Sequence, residues 1–252
     1  MKIGIIGAMQ EEVQLLIKDI SVTQVDNIGM REYYSGTLYD RDVVIVFSRW
    51  GKVAAASTVT TLIEKFNVDL VLFTGIAGAA NDMLNIGDIV IADKLVQHDM
   101  DCSAVSWLKK FEIPLLGKAE FEVMPDYIAL AASSASYYIE NEMRNEIGNS
   151  VLKEFMDSMP KVIVGTIASG DRFIADKEII KSFASEIENL QCVEMEGAAV
   201  AQICYEHKVD YAVFRVISDK ADQHANINCP AFIEKAASYF TRGIIKQFVK
   251  SV

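Results

Sequence analysis

The string FRVISD, Phe214 to Asp219, sets an arginine, a hydroxyl and a carboxylic acid along a β-prone run. A buried strand of this kind delivers Arg215, Ser218 and Asp219 to the rim of an α/β sheet. A carboxyl group kept partly dry at such a rim can hold a proton and give it up to a substrate. Three further strings place polar groups just after apolar runs. In GAMQEE, Gly7 to Glu12, a glycine turn leads into Glu11 and Glu12 at the start of a helix. In TGIAGA, Thr74 to Ala79, glycines let the backbone approach a ligand closely. In VEMEGAAVA, Val193 to Ala201, Glu194 and Glu196 alternate around Met195 ahead of a small-residue helix.

Each string also has a plainer reading. Acids in a first helical turn favour the helix dipole. Glycines after a strand make a tight turn, one of the two glutamates can be a solvated first-turn acid, and Arg215 with Asp219 can be a strand-end ion pair. Taken together, Glu12, Glu196, Arg215 and Asp219 fall at strand ends that a doubly wound sheet gathers at one edge, where ligands bind in such folds. Several carboxylates without a metal motif point to proton transfers on an uncharged substrate. GAMQEE does not match the G-x-G-x-x-G dinucleotide fingerprint.

The elements that must position these groups follow from the apolar patterning. Strands are expected at Lys2–Ile6, Arg31–Leu38, Val43–Ser48, Asp69–Phe73, Asp88–Val96, Val162–Ala168, Cys192–Glu194 and Tyr211–Ile217. Helices are expected from Gly7 through Lys18 and over Lys52–Phe66, Tyr127–Met143, Val151–Met159, Glu178–Ala184, Ala198–Glu206 and Pro230–Val249. On the second of these, Val53, Ala56, Val59, Leu62, Ile63 and Phe66 share a face. Pro230 suits the first turn of the last helix. Residues 99–125 have no clear period and read as a long loop excursion, and the strand Val162–Ala168 leads into the loop SGDRF. No repeat or linker divides the chain. The expectation is one α/β domain over residues 1–252, three-layer αβα with a central mixed sheet.

With 252 residues, 51% of them hydrophobic, the chain can bury a substantial core. Its formal charge of −11, from 24 basic and 35 acidic residues, argues against a nucleic-acid partner. Lys109 and Lys110 form its one basic pair. No apolar run is long enough to span a membrane, and MKIGIIGAMQEE reads as a strand and not as a signal peptide. Cys102, Cys192, Cys204 and Cys229 are widely spaced, without C-x-x-C, and the histidines are scattered. No metal and no cofactor are expected, and reduced thiols fit a cytoplasmic protein.

IGIIGAMQEE, GKVAAA, TGIAGA, GDIVIAD, QHDMD, ASGDRFI, VEMEGAAVA and RVISDKAD occur in this order from residue 1 to about residue 222. In this ordered set the chain resembles the bacterial 5′-methylthioadenosine/S-adenosylhomocysteine nucleosidases of the purine nucleoside phosphorylase superfamily. The resemblance implies a nucleoside phosphorylase-like fold, a homodimer and hydrolysis of the N-glycosidic bond of a 5′-thio-substituted adenosine. It implies that Asp219, oriented by Ser218, protonates adenine N7, and that Glu12 takes a proton from the attacking water with Arg215 nearby. It further implies that Glu196 accepts hydrogen bonds from the ribose hydroxyls, Met195 packs under the ribose, Phe173 stacks on the purine and the Ile174 backbone reads its edge. Met9 and Trp50 would line the sugar and 5′ region. Glu194 and Ile76 complete the expected substrate-binding set.

The chain departs from the family pattern at several of these places. Ile76 stands where the family often has serine, which removes a hydrogen bond to the water. Ala79 follows Gly78 where many relatives have a second glycine. Trp50 replaces a smaller aliphatic residue, and Cys229 stands where relatives often have phenylalanine over the 5′ group. The Cys102–Val105 stretch, normally offered to the neighbouring subunit's pocket, lacks an aromatic at Val105, for which Trp107 and Phe111 would compensate. A phosphorylase on the same fold would need a phosphate site, and Arg49 and Arg172 are the only candidates besides Arg215 in these strings. A non-catalytic nucleoside binder would need neither Glu12 nor Asp219. A hydrolase for another adenosine-like substrate, such as 6-amino-6-deoxyfutalosine, keeps the chemistry and changes the 5′ group.

Overall fold

The computed structural model describes residues 1–156, 158–222 and 225–252. Eleven strands form one mixed sheet: β1 (Lys2–Gly7), β2 (Ser21–Ile28), β3 (Arg31–Leu38), β4 (Arg41–Phe47), β5 (Leu70–Phe73), β6 (Ile76–Ala79), β7 (Ile89–Gln97), β8 (Glu120–Glu122), β9 (Val162–Ser169), β10 (Leu190–Glu194) and β11 (Asp210–Asp219). Their order is β2-β3-β4-β1-β5-β11-β6-β10-β9-β7-β8, and β11 pairs with β7 as well. That extra pairing closes β11, β6, β10, β9 and β7 into a small barrel, while the strands from β2 to β5 form an open wing.

β11 belongs to both parts. Asp210 to Val213 pair in parallel with β5, and Val216 to Asp219 pair in parallel with β6. Between these two stretches, Phe214 to Val216 pair antiparallel with β7. The strand must change partners at Arg215, so this residue lies in the interior of β11 and not at its end. β10 runs antiparallel to β6. The carboxylates therefore approach from strands of opposite sense, which corrects the picture of a single doubly wound edge.

The alternation of the strands sorts the core onto two faces. Ile3, Ile5, Val43, Ile45, Leu70 and Leu72 point one way, toward α1 (Gln10–Asp19), α3 (Pro125–Asn141) and the carboxyl-terminal α9 (Ser238–Ser251). Ile6, Val44, Val46, Val71 and Phe73 point the other way, toward α2 (Lys52–Phe66) and α7 (Gly197–His207). The remaining helices are α4 (Met143–Ile147), α5 (Asn149–Phe155), α6 (Lys177–Glu186) and α8 (Ala225–Phe232). Among the described residues no helix is long and apolar enough to cross a membrane.

Four differences from the sequence reading have physical causes. β2 was not expected; it is an edge strand whose residues are mostly exposed, so it carries no inward apolar alternation. On α2 the buried stripe is Ala55, Thr58, Val59, Leu62 and Phe66, and Val53 is 81% exposed. Ile76 to Ala79 are a strand, not a turn, because they bridge β11 and β10. The last helix does not start at Pro230: Pro230 lies inside α8, and a π-helical turn, Ile233–Ala237, follows before α9. A proline interrupts regular helical bonding, and such irregular turns recur beside functional clefts. The 99–125 stretch is mostly turns, with an Ile113–Lys118 bridge and β8 near its end, and α3 starts at its last residue.

Candidate active site

Glu12 sits in the first turn of α1, directly after β1. Its Oε2 accepts from Ala8 N at 2.6 Å and Met9 N at 3.0 Å, and its Oε1 accepts from Ile76 N at 3.1 Å. It thereby ties the β1–α1 turn to the start of β6. Gly75, with φ +155°, makes this approach feasible, since a Cβ there would lie 2.9 Å from Glu12 Oε1. Glu12 is 1% exposed. Burial pushes its carboxyl above the usual range, against the opposing pull of Arg215 and the backbone donors of Met9, Ala8 and Ile76.

Asp219 ends β11 and is also buried. Ser218 Oγ donates to its Oδ2 at 2.8 Å, and Ala221 N donates to its Oδ1 at 2.8 Å. Burial again raises the carboxyl, opposed by those two donors and assisted by the Asp222 charge. Glu196 caps the start of α7 and receives Gly51 N on Oε1 at 2.8 Å. Burial and then the neighbouring Glu194 raise its carboxyl, against the Gly51 donor and Arg215.

Arg215 and Glu194 form an ion pair inside this group, Nη2 to Oε2 at 2.6 Å, with Nε at 3.2 Å. Glu194 Oε1 also takes the Ser169 hydroxyl, and both its oxygens take Gly197 N at 2.9 Å. Ser169 Oγ in turn accepts Ala198 N at 2.7 Å. Burial works against the Arg215 charge, but Glu194, Glu196 and Glu12 outweigh it and hold its pKa up. Its guanidinium lies 4.1 Å from the centre of the Phe73 ring. The direct partner of Arg215 is thus Glu194; Glu12 feels it through space.

A cavity of about 340 Å³ opens between these groups. Met9, Glu12, Trp50, Ile76, Phe173, Ile174, Glu194, Met195, Glu196, Ser218 and Asp219 all line it, and Arg215 does not. Ile174 is buried, whereas Phe173 and Trp50 are exposed at the rim. Ala8, Ala77, Gly78, Arg172, Val193, Ala225, Cys229, Pro230 and Ile233 complete the described wall. A second chamber of about 690 Å³ adjoins it through Ala8, Met9, Trp50, Pro230 and Ile233, and Glu11, Arg49 and Glu234 add charge there. The sequence reading missed Ser169 and the Gly51 N–H. Both lie within strings it singled out, ASGDRFI and GKVAAA, but hydroxyl and backbone partners of a carboxylate emerge only from tertiary placement. Among the described residues no cluster of His, Cys, Asp or Glu is placed to hold a metal ion.

A mostly apolar cleft with raised carboxyls at a mixed α/β sheet is suited to acid-assisted cleavage of an uncharged, partly aromatic molecule. The pattern of the Phosphorylase superfamily matches residues 2–250, so the chain is of that class. A 5′-methylthioadenosine/S-adenosylhomocysteine nucleosidase of Staphylococcus aureus (strain bovine RF122 / ET3-1) is 37% identical over 235 residues, 93% of each chain. The nucleosidase of that name from Neisseria meningitidis, solved in complex with methylthio-immucillin-A, superposes with a TM-score of 0.87 at 29% identity, covering 100% of this chain and 99% of that one. The futalosine hydrolase of Helicobacter pylori strain 26695 superposes with a TM-score of 0.83 at 34% identity, covering 100% and 98%. The chain belongs to the 5′-methylthioadenosine/S-adenosylhomocysteine nucleosidase family.

Proposed function

We propose that this chain hydrolyses the N-glycosidic bond of 5′-methylthioadenosine and S-adenosylhomocysteine, releasing adenine and the 5′-thio-ribose. The observation that carries this is the pair of buried, raised carboxyls, Asp219 at the end of β11 and Glu12 in the first turn of α1, facing one cavity.

Adenine leaves poorly as an anion. Asp219, whose pKa burial raises and which Ser218 orients, gives a proton to ring nitrogen N7, so that the base departs neutral; acid help of this kind is worth roughly 10²–10⁴-fold. The electrons of the C1′–N9 bond go to the base, and the sugar gains oxocarbenium character. Glu12 takes one proton from water as its oxygen bonds to C1′. Glu196, with one oxygen held by Gly51 and the other unclaimed by any described donor, accepts from the ribose hydroxyls. Phe173 and Ile174 hold the base, Met9 and Met195 the sugar, and Trp50 the 5′ side. Glu194 neutralises Arg215 and seats the α7 start, which places Glu196.

A phosphorylase reading is disfavoured because, among the described residues, Arg172 is the only arginine or lysine lining the main cavity, which Glu12 and Glu196 also face. Adenine release in phosphate-free buffer tests this; turnover that appears only with added phosphate sinks the hydrolase reading. The similarity to a futalosine hydrolase supports 6-amino-6-deoxyfutalosine as a second substrate with the same bond cleavage. The second chamber has room for either long 5′ tail. Family membership supports a homodimer with a role in methionine salvage, and the four free cysteines suit a reducing cytoplasm. Sizing the protein in solution tests the dimer.

A further inference from the structure

Two walls of the cavity are joined at the amino end of α2 by groups that do not line the cavity. Gly51 and Lys52 present consecutive backbone N–H groups there. Gly51 N goes to Glu196 Oε1 at 2.8 Å, and Lys52 N goes to Asp171 Oδ1 at 2.7 Å. The two carboxylates come from different walls, one from the start of α7 and one from the loop after β9. Gly51 adopts φ +92°, a conformation that favours glycine, and a Cβ on it would lie 2.9 Å from Asp171 Oδ1.

Asp171 is itself held. Its N–H donates to Asp99 Oδ2 at 3.0 Å, and Asp99 Oδ1 takes Lys52 Nζ at 2.6 Å. Lys52 Nζ also reaches Gln97 Oε1 at 3.0 Å. Next to Asp171, Gly170 N donates to Glu194 O at 3.1 Å, and its Cα packs so closely on the His98 ring that a Cβ would come within 2.3 Å. His98 is braced from behind by Phe183 of α6, with ring centres 4.4 Å apart. The loop carrying Phe173 and Ile174 is therefore pinned at its base on one side and tied to the Glu196 donor on the other.

We propose that Asp171 is a positioning residue that couples the base side of the site to the sugar side, with Asp99 and Lys52 holding it in place. This rests on the assignment of Phe173 and Ile174 to the base and Glu196 to the ribose. Asp171 touches neither reacting atom. It fixes the α2 amino end from which Gly51 orients Glu196, and it fixes the loop two residues before Phe173. Charge-assisted hydrogen bonds of this length are stronger than neutral ones, and small misplacements of binding groups are costly in rate.

The test is a double-mutant cycle with a binding arm. Asp171→Ala should raise KM for methylthioadenosine about tenfold, with a smaller fall in kcat. Asp171→Asn, which keeps an acceptor oxygen for Lys52 N, should restore most of it. In a Glu196→Gln background the Asp171→Ala effect on KM should shrink to about twofold or less, because the two act through one path. Adenine affinity, measured by calorimetry without turnover, should weaken several-fold in Asp171→Ala and recover in Asp171→Asn. This arm reads the clamp even if the chain hydrolyses neither nucleoside. Unchanged KM and adenine affinity in Asp171→Ala, or an equal KM effect in both Glu196 backgrounds, overturns the proposal.

Discussion

Arg215 and Glu194 meet at 2.6 Å with side chains only 1% and 3% exposed, so each is the other's counter-charge in a place water does not reach. Removing one partner strands the other. Arg215→Met should lower unfolding free energy by about 3–5 kcal/mol, the range for breaking a buried pair. Replacing both, Arg215→Met with Glu194→Leu, should recover part of that loss, since no buried charge remains. Urea denaturation of the two variants checks this. A double variant less stable than the single would show that Glu194 matters chiefly through Ser169 and Gly197.

Asp219→Asn keeps the shape of the acid and removes its proton chemistry. The asparagine oxygen can still accept from Ala221 N, and its amide can donate to Ser218 Oγ. Turnover should fall by about 10²-fold or more while adenine still binds. Stability should move the other way. Burial raises the folded-state pKa of Asp219, so the folded protein holds a proton that the unfolded chain loses near the ordinary aspartate value of about 3.9. Wild-type stability contributed by this group is intact below that value and is lost as pH rises through the raised folded-state pKa. Thermal denaturation should find the variant gaining on wild type from acid to neutral pH; a constant difference at all pH values would refute the assignment.

In the proposed mechanism two of the three raised carboxyls in the cavity, Glu12 and Asp219, set the pH profile of the reaction. In the proposed roles Glu12 must be ionised to take a proton and Asp219 must be protonated to give one. The acid limb of kcat/KM then follows Glu12 and the alkaline limb follows Asp219, both above the ordinary carboxylate range. Initial rates of adenine release across pH 4–9 (roughly the span over which such groups titrate) check this. An alkaline limb that survives unchanged in residual Asp219→Asn activity would assign it elsewhere.

Much of this was legible in the sequence because the strings that carry chemistry are local. Glu12 and Glu196 each follow an apolar strand and a short turn, and Ser218 and Asp219 end the apolar strand β11, so their arrival at a cavity follows from strand and helix boundaries. Partners were less legible. That Arg215 serves Glu194 depends on β11 changing neighbours in mid-strand, and a register between distant strands leaves no mark near residue 215. β2 escaped for the opposite reason: it is held by backbone bonds to β3 and has few apolar side chains to bury. Val53 fits a helical period yet faces outward, because α2 turns Ala55, Val59 and Leu62 to the core instead.

Gly75 tests how finely Glu12 must be placed. Gly75→Ala would set a methyl group 2.9 Å from Glu12 Oε1 in a backbone conformation that suits glycine. The carboxylate must shift, and the Ile76 N bond at 3.1 Å would be lost or lengthened. We expect kcat to fall about 10²-fold, the cost of a misplacement near 1 Å, with adenine affinity and circular dichroism close to wild type. Full activity in this variant would mean that Glu12 does not need its present position.

The second chamber should decide how the 5′ tail is read. Arg49 gives Nη2 to Met30 O at 2.7 Å, and neither it nor Glu11 nor Glu234 joins an ion pair among the described residues, although all three line that chamber. With the 5′ side of the substrate at Trp50, as proposed, a methylthio group is too short to reach far into it, whereas a homocysteine tail is long enough to bring a carboxylate and an ammonium there. Arg49→Ala should therefore raise KM for S-adenosylhomocysteine by about threefold, the worth of one exposed ion pair, and leave KM for methylthioadenosine unchanged. Parallel kinetics on the two substrates make the comparison. An equal rise for both would assign Arg49 to supporting Trp50 and the shared neck, because only a contact made beyond that neck can separate substrates that are identical within it.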